Sequence, residues 1–67
     1  MEKIKFYVEI EYKDSSSFHF DVEFDSDDRN VLGSLMMITR GTLMASSAYR
    51  AIAYGQDGFD VCSYINP

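Results

Sequence analysis

Sixty-seven residues make a single domain, 1–67, too small for two cores and with little room for both a fold and a deep catalytic cleft. A composition of 46% hydrophobic, 15% aromatic and 25% charged side chains excludes intrinsic disorder and predicts a folded chain. Eleven acidic against six basic residues give a formal charge of -5, which disfavours direct contact with nucleic-acid phosphates or anionic lipid, and one cysteine excludes an internal disulfide.

In chain order, Ile4, Phe6, Val8, Ile10 and Tyr12 alternate with Lys3, Lys5, Tyr7, Glu9, Glu11 and Lys13, the period of a strand with one buried face. Asp14-Ser15-Ser16-Ser17 has the composition of a turn. A second alternation then sets Phe18, Phe20, Val22 and Phe24 against His19, Asp21, Glu23 and Asp25, so the two strands form a hairpin with an apolar inner face. Asp25-Ser26-Asp27-Asp28 supplies oxygens and negative charge suited to a helix N-terminus, and a helix is expected to begin there. At 100° per residue Val31, Leu32, Leu35, Met36, Ile38, Thr39, Thr42 and Leu43 share its buried side, while Arg29, Gly33, Met37, Arg40, Gly41 and Met44 lie on its back. Gly41 is one candidate for its end; Leu43, still in phase, favours a helix running to Ala45. Tyr49–Tyr54 and Phe59–Ile65 are rich in strand formers and flank Gly55-Gln56-Asp57-Gly58, a hairpin signal. Ile52, Tyr54, Phe59, Val61, Ser63 and Ile65 are expected to face the core, with Ala51, Ala53, Asp60, Cys62 and Tyr64 on the other side.

The fold class is therefore α+β: ββαββ, a four-stranded mixed sheet with one helix on one face. A right-handed crossover favours the strand order 2-1-4-3; the competing arrangement places the second hairpin beside strand 2. In element order and size the favoured arrangement resembles the β-grasp class, which includes ubiquitin-like and immunoglobulin-binding bacterial domains. No motif of that class is matched, so the resemblance implies a fold and no function.

Catalytic chemistry is not expected. His19 and Cys62 are the usual nucleophile and base types, but strands two apart hold them about 9 to 10 Å from each other, too far for a dyad. One His and one Cys do not make a zinc site, and Asp25-Ser26-Asp27 continues with Arg29, Asn30 and Met36 where a calcium loop needs a ligand, Gly and Glu. Gly55-x-x-Gly58 lacks the third Gly or the Lys of a phosphate-binding loop, so no cofactor is expected. No apolar run approaches the roughly 20 residues of a membrane span, and Met1-Glu2-Lys3-Ile4-Lys5 has no signal-peptide core, which predicts a cytoplasmic protein.

Surfaces remain. Either register weighed for the first hairpin sets two carboxylates among Glu9, Glu11, Asp21 and Glu23 side by side, an acidic strip that a basic or mixed partner surface would relieve. Beside it Tyr7, Tyr64, Cys62, Ala51 and Ala53 are expected to form a charge-poor aromatic patch on the open sheet face. On the helix back Gly33, Met37, Arg40 and Met44 form a candidate homodimer seam. These features predict a non-enzymatic protein-interaction module, an adaptor or inhibitor. The alternative is an acidic mimic of nucleic acid, for which -5 falls short of the charge density of a duplex.

Overall fold

The computed structural model describes residues 2–66. Its elements are β1 (Lys3–Glu11), β2 (Ser17–Asp25), α1 (Val31–Ala45), β3 (Arg50–Tyr54) and β4 (Asp60–Ile65). They form an α+β domain in which one helix lies on one four-stranded sheet, as the alternating patterns imply. The order is β2-β1-β3-β4 and every neighbouring pair is antiparallel, so the favoured order 2-1-4-3 with its parallel central pair is corrected, as is the mixed sheet.

The connection after the helix gives the physical reason. Ser47 takes a left-handed φ of 54°, Ser47 N–H bonds to Met44 O, and Ala48 N–H bonds back to Leu43 O. This is a Schellman cap, closed by the buried pair Leu43 and Ala48. The chain reverses within it, and the very next amide, Tyr49 N–H, bonds to Glu11 O at the end of β1. No length is left to carry β3 to an outer position, so β3 pairs directly with β1.

That neighbour fixes which side of the second hairpin faces the helix. Val8 pairs with Ala53 and Ile10 with Ala51, and directly opposed residues share a face, so Ala51 and Ala53 point to the core with Cys62 and Tyr64 beyond them. The expected assignment is reversed for Ile52, Tyr54, Ser63 and Ile65, which lie on the open side; Asp60, which opposes Tyr54, lies there as expected. The small side chains belong inside because α1 runs over β3, and alanine lets a helix approach where isoleucine and tyrosine would hold it off. Leu35, Thr39 and Leu43 meet them as a fully or nearly fully buried stripe.

Both hairpins close with the same device. Tyr12 N–H bonds to Ser16 O around Lys13-Asp14-Ser15, and Gly55 N–H bonds to Phe59 O around Gln56-Asp57-Gly58. The third residue of each loop is left-handed, Ser15 at φ 74° and Gly58 at φ 85°. The Asp before it accepts the N–H two residues on, Asp14 from Ser16 and Asp57 from Phe59. In the second hairpin a register shift beside Tyr54 offsets the odd loop, which is why Ile52 still opposes Ser63.

The helix does extend to Ala45, passing through Gly41, but it begins at Val31, later than the Asp25–Asp28 cluster. Asp25 ends β2, Asp28 accepts the Asn30 N–H in a turn, and Asn30 at the helix start caps nothing with its side chain. Leu32 and Met36, expected in the core, are 55% and 40% exposed.

Two stability changes follow. Ser47→Gly removes the steric cost of a left-handed serine, and Gly41→Ala, whose new Cβ meets nothing within 4 Å, adds helix propensity. Each is expected to raise unfolding free energy by about 0.5–1 kcal/mol in thermal or urea denaturation. A loss of stability on Gly41→Ala would show that another surface rests on the helix. The Ser16 hydroxyl and amide donate to Asp14 and hold its carboxyl below the usual 3.8. Its contribution to folding is thus complete above that value and lost as pH falls through the lowered one. Carboxyl NMR titration is expected to give an Asp14 midpoint below 3.8 that moves up in Ser16→Ala.

Candidate interaction surfaces

The open face of the sheet comes from the odd residues of β1 and β2 and the even residues of β3. The three-residue loop sets a register different from either one considered from sequence: Lys3 opposes Asp25, Lys5 opposes Glu23, Tyr7 opposes Asp21, Glu9 opposes His19 and Glu11 opposes Ser17. No two carboxylates stand directly across from each other, which corrects the expected acidic strip. Lys3 instead forms an ion pair with Asp25, whose carboxylate raises the Lys3 pKa by hydrogen bonding and charge. Lys5 lies 4.0 Å from Glu23, and Arg50 donates from Nη2 to Glu11 at 3.0 Å. Glu9 and Asp21 are left without a cation across the strand, Glu9 facing His19 and Asp21 facing Tyr7.

The aromatic part of this face also has different members. Tyr7, 43% exposed, is where the alternation put it, and its partner across the strand is Tyr54. Ile52 opposes both Glu9 and Ser63, and Ile65, 61% exposed, opposes Arg50. Tyr64 and Cys62 are half-buried on the helix side, Cys62 with its Sγ 4.0 Å from Thr39 Oγ1. Ala51 and Ala53 are fully buried, so of the expected patch only Tyr7 lies on the open face. Tyr54 and Ile52 were missed because pattern alone assigns the larger apolar side chains to the core; the small size of Ala51 and Ala53 was the signal that β3 lies beneath the helix.

Tyr64 joins the second surface instead. Met37 and Met44 are 75% and 65% exposed on the helix back. Between α1 and β4 two adjoining depressions of about 310 and 360 Å3 share Arg40 and Tyr64, with Met44 lining one and Gly33, Met36 and Met37 the other. The seam residues Gly33, Met37, Arg40 and Met44 thus do lie together, and Tyr64 forms the opposite wall. A Cβ at Gly33 would meet the exposed Asn30 side chain, which makes no cap hydrogen bond and is free to turn aside.

His19 and Cys62 stand on opposite faces and on strands three apart, about 14 Å laterally at ordinary strand spacing, a larger gap than the sequence implied. Among the described residues no group of three or more His, Cys, Asp or Glu is placed to hold a metal ion, and no helix is long and apolar enough to cross a membrane. Comparison with protein-family models, with curated proteins and with solved structures found no match.

The Arg50–Glu11 pair crosses the two central strands with side chains 38% and 34% exposed, and Arg50 Nε is buried without a partner. Glu11→Ala is expected to cost about 0.5–1 kcal/mol in urea unfolding, a difference that shrinks in about 1 M salt. A loss unchanged by salt would mean that packing of the Arg50 stem, not charge, holds the pair.

Proposed function

We propose that this chain is a non-enzymatic protein-interaction module, an adaptor or inhibitor of the cytoplasm, which docks through the open face of its sheet. One observation carries the reading: Tyr7 and Tyr54 stand opposed there, beside Ile52 and Ile65, on a face with no covering helix. Tyrosines supply large contact area at small entropic cost and are enriched at protein interfaces, and here Asp21 and Asp60 directly oppose Tyr7 and Tyr54 and bound the aromatic pair with carboxylates. Glu9 and Asp21, without cations opposite them, flank Tyr7 and favour a partner that presents an apolar centre with Lys or Arg at its rim. The lone thiol, Cys62, fits a reducing compartment. Mimicry of nucleic acid ranks behind this reading, because Lys3, Lys5 and Arg50 stand among the carboxylates and break the continuous negative surface that a mimic needs.

Affinity purification with wild type, Tyr7→Ala/Tyr54→Ala and the helix-back control Met37→Glu/Met44→Glu tests it. The expected result is a partner retained by wild type and by the control, lost with the tyrosine variant, and weakened only mildly between about 0.1 and 0.5 M salt. Retention by the tyrosine variant overturns the open-face reading, and collapse of binding with salt favours mimicry.

A further inference from the structure

The edge strand β2 carries a second surface, independent of the open-face reading. The helix lies chiefly over β3, β4 and β1 and covers β2 least, so Phe18 is 40% exposed and Phe20, Val22 and Phe24, though packed against the core, are only partly buried. Edge strands are ordinarily short or blunted by Lys, Pro or a bulge. β2 is nine residues long, keeps unbroken register with β1, and contains no Lys, Pro or Gly.

The phase of its hydrogen bonds can be read from both ends of the hairpin. Tyr12 N–H bonds to Ser16 O and Ser26 N–H to Glu2 O, so the even residues of β2 bond inward to β1. The N–H and C=O groups of Ser17, His19, Asp21 and Glu23 therefore point outward from the edge. The side-chain charge is graded along the same strand: Ser17 and His19 occupy its first half, Asp21, Glu23 and Asp25 its second.

We propose that a second copy of this chain occupies the edge, with two β2 strands pairing antiparallel about a two-fold axis through Phe20. In that register His19 opposes Asp21 of the other copy twice over, Ser17 opposes Glu23, Phe18 opposes Val22, and Phe20 meets its own counterpart. The outward amides and carbonyls are satisfied reciprocally, the acidic half of one strand lies on the neutral half of the other, and no two carboxylates are opposed. Moving the axis to Asp21 sets two aspartates face to face, and moving it to His19 opposes no carboxylates but pairs a shorter stretch of β2, so charge and paired length together favour Phe20. The product is one continuous eight-stranded sheet with both helices on the same side and both open faces still free.

Light scattering and sedimentation at about 0.1–1 mM protein test this, with circular dichroism to confirm folding. Wild type is expected at twice 7.7 kDa. His19→Asp sets like charges across the axis and is expected to weaken the dimer about tenfold or more; because residue 19 also faces Glu9 within the monomer, the same change is made in a Glu9→Gln background, where the loss is expected to persist. His19→Asp/Asp21→His exchanges the two side chains and is expected to restore it, whereas Met37→Glu/Met44→Glu on the helix back leaves it intact. Wild type that stays monomeric throughout, a dimer indifferent to His19→Asp, or one sensitive to the methionine variant overturns the proposal. Failure of the exchanged variant to recover overturns the Phe20 register.

Discussion

Ala51 and Ala53 sit at the centre of the sheet, opposite Ile10 and Val8 on one side and Tyr64 and Cys62 on the other, with α1 above them. Their size sets how closely the helix can settle, and among the described residues the fully or nearly fully buried side chains gather at this contact, with Val8 and Ile10 beside the alanines and Leu35, Thr39 and Leu43 above them. Because a single helix can cover only part of a four-stranded sheet, seating it over β3 leaves β2 the least covered strand, with Phe18 exposed. The same choice turns Ile52, Tyr54 and Ile65 out to the open face. The dry core, the lightly covered β2 edge and the side chains of the open face thus arise from one packing decision.

The turns govern the charges. In each hairpin an Asp side chain takes the place of a backbone acceptor and a left-handed residue completes a three-residue loop. The first of these loops slides β2 to a register in which Lys3 and Lys5 meet Asp25 and Glu23. A longer loop would have opposed carboxylates. An acidic protein thereby presents an open face of mixed charge, with its uncompensated carboxylates concentrated around Tyr7. Opposite-sign contacts across a sheet contribute only tenths of a kcal/mol each, so their larger consequence is the charge pattern of that face.

The three uncovered surfaces differ in kind. The open face is flat, with aromatic and aliphatic groups among paired charges. The helix–β4 flank is concave, lined by methionines and Tyr64 around Arg40. The β2 edge offers main-chain donors and acceptors in addition to side chains. Since edge pairing would leave the open face free, self-association and partner binding are compatible in one molecule.

Period-two alternation made β1 and β2 legible from sequence, since every inward position from Ile4 to Phe24 is apolar and only one face can accept them. The helix to Ala45 and the second hairpin were legible for similar local reasons, as was the exposure of Tyr7, Met37 and Met44. Strand order, the buried side of the second hairpin and the partners of each carboxylate were not. Those features depend on how tightly the chain turns at Ser15 and Ser47, serines holding conformations usually left to glycine, and on how closely a helix can approach two alanines. Local pattern determines which residues share a face; only packing between elements distant in sequence decides which face is covered, because that choice is made by volume and not by hydrophobicity alone.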